Sequence, residues 1–119
     1  MNSPEAESQP SSRDLSKGER RLHRRHSVQV QIEIHIDGTK VPMRLETTDL
    51  SRSGCYIQMM MPFAVGLRVQ ATLWLDTCPI VIRGRVVTCH PHFGNGIMFV
   101  EFEDHAQEIL SCYLDGVTM

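Results

Sequence analysis

Four arginines within six residues form the first group of side chains that could bind an anionic ligand: Arg20, Arg21, Arg24 and Arg25. A guanidinium group is planar and can bind a phosphate through two parallel hydrogen bonds. It also pairs with the O6 and N7 acceptors of guanine. Taken alone, however, such a run is more simply explained as a solvated charge cluster or a loose nucleic-acid-binding arm.

The second group is the six-residue segment Asp49-Leu50-Ser51-Arg52-Ser53-Gly54. An ionised Asp49 only accepts hydrogen bonds, which suits the N1 and N2 donors of a guanine edge. Ser51 can bond a phosphate or the backbone, and Gly54 permits a close approach to the backbone. By itself this segment would be an ordinary turn between two strands.

The segments that must position these groups have the pattern of β-strands. Residues 28–36 alternate branched apolar side chains with polar ones, which is the two-residue period of a half-buried strand. In a second strand, Val41, Met43 and Leu45 are expected to face inward. The Asp37-Gly38 pair predicts a tight hairpin with both residues at positive φ. The predicted strands are 28–36, 40–48, 55–59, 67–75, 80–89 and 96–103.

The C-terminal segment changes to a helical period. Asp104 is the expected N-cap and Gly116 the expected stop. Between them the apolar residues follow helical spacing: Ala106, Ile109, Leu110, Tyr113 and Leu114. The fold class is therefore predicted as all-β with short turns and one C-terminal α-helix closing the barrel.

Charge and composition limit the classes of function. Residues 1–27 contain six basic and four acidic residues, and the remainder contains six basic and ten acidic ones. A basic arm on an acidic body argues against a general nucleic-acid-binding protein. Residues 1–18 are almost entirely polar and are expected to be disordered, and the arm 19–26 to be mobile.

Other features point to a cytoplasmic binding protein rather than an enzyme. No apolar run is long enough for a membrane helix, and the N-terminus lacks the pattern of a signal peptide. No catalytic sequence motif is present. The widely spaced Cys55, Cys78, Cys89 and Cys112 are interpreted as small buried hydrophobes, with a zinc site as the weaker alternative.

Together, the two groups of polar residues resemble the PilZ family. That family has Arg-x-x-x-Arg before the first strand and Asp-x-Ser-x-x-Gly after the second. Here Arg21 and Arg25 fit the first motif, with Arg20 and Arg24 as an alternative register, and 49–54 fit the second. The segment 94–99 is also similar to the family's closing strand, so the resemblance covers about residues 19–103.

The resemblance implies a six-stranded antiparallel β-barrel that binds cyclic di-GMP. Arg21 and Arg25 would grip the phosphates and guanine faces, and Asp49, Ser51 and Gly54 would hold a guanine. Arg20 occupies the place that accompanies binding of an intercalated ligand dimer. The implied organisation is a tail over 1–18, a barrel with its arm over 19–103, and a helix over 104–119 that packs on the barrel.

The resemblance also implies a mechanism and leaves alternatives open. Ligand binding would fold the arm over the barrel and change the surface offered to a partner protein in trans, in motility, secretion or polysaccharide systems. The alternatives are an adaptor that binds no nucleotide, a nucleic-acid-binding barrel and, least favoured, an enzyme. Residues 59–63 are interpreted as core or loop packing, with an adaptable docking patch as the alternative.

Overall fold

The computed structural model describes residues 24–117. The predicted disordered tail and the arginines Arg20 and Arg21 lie outside the described residues. Arg24 and Arg25 are the part of the arm that the structure describes.

Six antiparallel strands form a closed barrel, as predicted. Around the barrel the order is β1-β2-β3-β6-β5-β4, so that β1 closes the ring by pairing with β4. The strands are β1 (Gln31–Ile36), β2 (Met43–Leu50), β3 (Gly54–Gln58), β4 (Arg68–Leu75), β5 (Cys78–His90) and β6 (Gly94–Phe102).

Alternating apolar side chains fill the barrel. The pattern is clearest in β4, where Val69, Ala71, Leu73 and Leu75 are buried and the residues between them are not. A strand that is apolar at every second position has one face for the core and one for solvent, so closure of the sheet buries one whole set.

In the part of the chain that the structure describes, one helix, α1 (Ala106–Val117), packs against the barrel. Its buried residues Ala106, Leu110 and Leu114 are spaced four apart on one face and belong to the same core cluster as the strands. Within residues 24–117, no helix has both the length and the apolar character needed to cross a membrane.

The start of the second strand differs from the prediction. β2 begins at Met43, and Val41 and Met43 are exposed instead of facing inward. Of the Asp37-Gly38 pair, only Gly38 has positive φ, at 89°, and the Thr39 N–H donates to the Ile36 carbonyl at 3.0 Å. β1 and β2 still pair as an antiparallel hairpin, but the connection is longer than the predicted two-residue turn, because residues 39–42 precede the start of β2.

Thr47 is a buried polar residue on the same face of β2 as Leu45. The Thr47 side chain is fully buried, where its Oγ1 accepts from the Val30 N–H at 3.1 Å and donates to the Val28 carbonyl at 2.9 Å. A register shift between Thr47 and Asp49 follows, and Leu50 then returns to the core. Both polar groups of the hydroxyl are satisfied, so burial of this residue costs little.

The start of the helix and the burial of the cysteines also differ from what the sequence predicts. Asp104 is not the N-cap: it has φ of 49° in the preceding turn, and the first helical bond runs from the Ile109 N–H to the His105 carbonyl at 3.0 Å. Gly116 lies within the helix. Of the four cysteines only Cys55 is buried; Cys89 is half-buried, and Cys78 and Cys112 are exposed. Within residues 24–117, no three His, Cys, Asp or Glu side chains come together as a metal site.

The methionine-rich segment is divided between core and surface. Met59 and Phe63 pack against the core, whereas Met60 and Met61 are exposed. The buried Asn95 side chain fixes this loop, because it accepts from the Phe63 N–H at 2.8 Å and donates to the Phe63 carbonyl at 2.9 Å. The packing interpretation therefore holds for two of these residues and fails for the two methionines between them.

Candidate functional site

A short antiparallel bridge holds the end of the arm beside the end of β2. The His26 N–H donates to the Leu50 carbonyl at 2.9 Å, and the Leu50 N–H donates to the His26 carbonyl at the same distance. Because Leu50 follows Asp49 and His26 follows Arg25, this pair of bonds brings the two predicted motifs together. Their proximity is thus set by backbone pairing and not by the charges alone.

Arg25 and Asp49 face each other at this point. The Arg25 Nε lies 3.9 Å from the Asp49 Oδ1, which is an ion-pair distance but too long for a hydrogen bond. The Arg25 side chain is 64% exposed and that of Asp49 is 24% exposed. Arg25 can therefore reorient towards a ligand, whereas Asp49 is held in the barrel wall.

The Asp49 carboxylate has unused hydrogen-bonding capacity. Its Oδ1 is buried and has no hydrogen-bond partner among residues 24–117. A buried acceptor left without a donor costs about 1–3 kcal/mol, more when it is charged. An N–H donor that reached this carboxylate would recover part of that free energy, so the site is suited to a ligand edge that donates.

Cys55 lies buried close to the Asp49 carboxylate. Burial, and secondarily the negative charge of Asp49, raises the pKa of the Cys55 thiol to about 12. The thiol is therefore neutral at physiological pH and is not a nucleophile. It packs as a small apolar side chain beneath the loop.

Ser51 organises the loop after β2. Its Oγ accepts from the Ser53 N–H and from the Gly54 N–H, each at 3.1 Å, and its own N–H donates to the Gly54 carbonyl at 2.8 Å. The residue is buried. Of the two roles considered for this hydroxyl, bonding the backbone is the one seen; contact with a ligand phosphate stays a prediction.

Gly54 is required by a neighbouring strand. A Cβ at this position would lie 2.3 Å from the Ile97 carbonyl oxygen, because Gly54 pairs with Met98 of β6. The close backbone approach anticipated at this glycine is therefore made by β6. Whether a ligand also contacts Gly54 stays a prediction.

Arg52 and Arg24 lie on the side of the loop that faces the helix. The Arg52 guanidinium donates to the Asp115 carboxylate of α1 at 2.6 Å, which ties the loop to the helix. Arg24, Arg52 and Asp115 line a small cleft of about 150 Å³ there. Of the two described arm arginines, Arg25 is thus the one that ion-pairs with Asp49, and the choice between the two arginine registers stays a prediction.

An aromatic pair beside Asp49 was missed in the sequence. Tyr56 of β3 stands directly opposite Asp49 of β2, and its Oη lies 2.9 Å from the His90 Nδ1. The two ring centroids are 5.8 Å apart. Strand alternation could have placed Tyr56 on the outer face, but its neighbours depend on the β2 register shift and on β5, which no local pattern reveals. The two rings are tilted by 38° relative to each other, so a base could stack on the face of one ring next to the carboxylate.

Comparisons with known proteins agree with this architecture. The family model described as "PilZ domain" matches residues 19–116. The structure is similar to the Bacillus subtilis inhibitor of motility (MotI/DgrA), with a TM-score of 0.68 and 16% identity over 79% of this chain and 48% of that one. It is also similar to the PilZ domain of CeSA from a cellulose-synthesizing bacterium, with a TM-score of 0.60 and 19% identity over 81% of this chain and 99% of that one.

The family model and the two similar structures support different conclusions. At such identities the two structures show the fold alone, and the chain spans about half of the Bacillus subtilis protein. Among curated proteins no sequence match is found. The family model is the decisive finding, because it covers the arm, every barrel strand and nearly all of the helix. This chain belongs to the PilZ domain family.

Proposed function

We propose that this protein is a receptor for cyclic di-GMP and that it binds the ligand between its arginine arm and the loop after β2. Arg20, Arg21 and Arg25 would contact the ligand from the arm, and Asp49, Ser51 and Gly54 from the barrel. The observation that carries this proposal is the pairing of Arg25 with an incompletely satisfied Asp49 carboxylate at 3.9 Å.

Asp49 is suited to recognise guanine. The Watson–Crick edge of guanine presents two adjacent N–H donors, and a carboxylate offers two adjacent acceptors with matching spacing. Hydrogen bonds in which one partner is ionised are about twice as strong as neutral ones. Adenine presents a ring acceptor at the corresponding position, so the same carboxylate would discriminate against it.

Arg25 is suited to the anionic part of the ligand. An exposed ion pair at 3.9 Å contributes little stability, about 0–1 kcal/mol, so Arg25 can leave Asp49 at small cost. Once Asp49 accepts the guanine donors, the guanidinium is free to bind a phosphate or lie on the guanine face. The pair would then be exchanged for two stronger contacts with the ligand.

Ser51 and Gly54 would act mainly by holding the loop. The two bonds that the Ser51 Oγ accepts and the close packing of Gly54 on β6 fix the backbone between Asp49 and β3. A loop that is already ordered loses less conformational entropy when a ligand binds. These residues therefore favour binding even without touching the ligand.

The proposed output is a change in the arm. The bridge between His26 and Leu50 anchors the last residues of the arm to the barrel, so a ligand held at Asp49 would draw the preceding arginines over the same surface. The new surface would be read by a partner protein in the cytoplasm. The relatives' names, which refer to motility and cellulose synthesis, support a target in a motility or polysaccharide system.

Isothermal titration calorimetry with cyclic di-GMP tests the proposal. We expect saturable binding by the full chain, and a loss of at least about tenfold in affinity for Asp49→Ala and for Arg25→Ala. Arg44→Ala is the matched control, because Arg44 is also an exposed arginine and its Nε likewise lies at ion-pair distance, 3.7 Å, from a carboxylate, that of Glu33. Absence of binding at ligand concentrations of tens of micromolar would refute the receptor function and favour a nucleotide-independent adaptor.

The same titration measures stoichiometry. Arg20 leads us to propose two intercalated ligands per chain, so the expected molar ratio is close to two, falling towards one in Arg20→Ala. A ratio of one in the wild-type protein would refute the dimer while leaving the receptor function intact.

A further inference from the structure

A second cleft lies on the outer face of β4, β5 and β6, away from the Asp49 loop. It has a volume of about 380 Å³, and three arginines line it: Arg68 of β4, and Arg83 and Arg85 of β5. None of its lining residues belongs to the Arg25–Asp49 site. Ligand sites for small molecules commonly have volumes of 300–1,000 Å³, so the cleft is large enough for a compact ligand.

The register of the strands forces these arginines together. Arg68 stands directly opposite Arg85 in the ladder between β4 and β5, and Arg83 precedes Arg85 by two residues on the same face. Directly opposed side chains have Cβ atoms about 4.5–5.5 Å apart, and like charges there are destabilising. The arrangement therefore costs stability in the free protein.

Among the described residues, acidic side chains compensate these charges only in part, because Glu101 of β6 stands directly opposite Arg83 while Arg68 and Arg85 face each other. Within residues 24–117, none of the three guanidinium groups forms an ion pair, although Asp37 and Glu101 also line the cleft. An anion bound between the arginines would relieve the repulsion and accept several charge-assisted hydrogen bonds.

The remaining lining residues narrow the class of anion. Asp37 and Glu101 would repel an extended acidic segment of another protein, but they would accept hydrogen bonds from hydroxyl or amino groups. Val100 lies opposite no residue, because the register of β5 and β6 shifts between Arg83 and Gly84, and it is exposed at the cleft. The cleft therefore combines cations, acceptors and a small apolar surface.

We propose that this cleft binds a small phosphorylated ligand that carries hydrogen-bond donors, such as a nucleoside monophosphate or a sugar phosphate. The arginines hold the phosphate, and the two carboxylates accept from the hydroxyl or amino groups. This inference does not rest on the function proposed above, because the two sites share no residue.

NMR of the full chain, observing the arginine Nε–H groups, tests the inference. The probes are AMP, ribose 5-phosphate and inorganic phosphate. We expect AMP or ribose 5-phosphate to shift the resonances of Arg68, Arg83 and Arg85 with a dissociation constant of about 1 mM or below. Inorganic phosphate, which lacks the donors and the apolar part, should bind more weakly. A response to AMP alone assigns a nucleotide, and equal responses assign a sugar phosphate.

Two arginine variants distinguish binding in the cleft from a general attraction between the ligand and positive charge on the protein surface. Arg85→Gln should weaken binding by about tenfold, whereas Arg44→Gln, on β2, should leave it unchanged. Shifts that do not saturate, or that respond equally to both variants, would overturn the proposal. It would also be overturned if an octaglutamate peptide saturated these arginines and AMP did not, since that result would assign a protein-docking surface.

Discussion

Replacement of Gly54 by alanine distinguishes a structural role for this glycine from a role in ligand contact. The added Cβ would lie 2.3 Å from the Ile97 carbonyl oxygen, which is 0.7 Å less than the shortest contact of about 3.0 Å that Cβ atoms make in proteins. Because the obstructing oxygen belongs to the backbone of β6 and not to a flexible side chain, either β3 or β6 must move. Such movement would disturb the bond from the Phe99 N–H to the Ser53 carbonyl, now 2.8 Å.

The expected cost follows from these two effects. Overpacking costs about 1–3 kcal/mol, and one weakened backbone hydrogen bond adds about 1 kcal/mol. We therefore expect Gly54→Ala to lose about 2–4 kcal/mol. At about 4–8 °C per kcal/mol for a domain of this size, the melting temperature should fall by roughly 10–30 °C, as measured by circular dichroism.

A second glycine provides the control. Gly116 lies within α1 and has open space around the position of a Cβ. Gly116→Ala should raise stability by about 0.5–1 kcal/mol through helix propensity. If Gly54→Ala melted within about 2 °C of the wild type and yet lost ligand binding, the structural reasoning would be wrong and direct ligand contact would explain this glycine.

Three further predictions concern single side chains. Ser51→Ala should lose about 1–3 kcal/mol in urea unfolding, because two loop N–H groups lose their acceptor; unchanged stability would show that the hydroxyl does not hold the loop. Asn95→Ala should speed hydrogen exchange of the Phe63 amide by at least about tenfold, and an unchanged rate would contradict the anchoring role. Burial raises the pKa of the Cys55 thiol from 9.0 to about 12, so between these pH values the thiol is ionised in the unfolded chain and neutral in the folded protein. The stabilisation by the neutral buried thiol is therefore complete below pH 9 and decreases as the pH rises towards 12. The wild type should therefore lose stability relative to Cys55→Ala by up to about 1.4 kcal/mol per pH unit above pH 9, and parallel urea-unfolding curves for the two proteins would refute this.

The alternation of apolar and polar residues predicted the barrel strands because each strand buries one face and exposes the other. Residues 67–75 alternate strictly, and β4 buries the predicted set. Where the pattern failed, an interaction distant in sequence was responsible. At the end of β2 the alternation is broken by the register shift between Thr47 and Asp49, which depends on the pairing with β3. Val41 is exposed because it lies in a connection longer than the Asp37-Gly38 pair suggested.

The part of the site that lies within one short segment could also be predicted from the sequence. Asp49, Ser51 and Gly54 form a short motif that can be read in one segment, and Arg25 was expected to act with it. The local bonds of Ser51 fit the turn that this segment suggested by itself, whereas the need for a glycine at 54 depends on the close approach of β6. Tyr56 could not be assigned to the site, because its position opposite Asp49 depends on the shift in β2.

The proposed receptor function depends on the Asp49 carboxylate accepting the donors of a guanine edge. Proton NMR of the guanine imino group in bound cyclic di-GMP tests it most directly. We predict a slowly exchanging, downfield-shifted imino proton with the wild-type protein, and its loss with Asp49→Ala under conditions where the variant remains folded. A bound ligand whose imino proton exchanged freely, or kept its shift in Asp49→Ala, would contradict the claim.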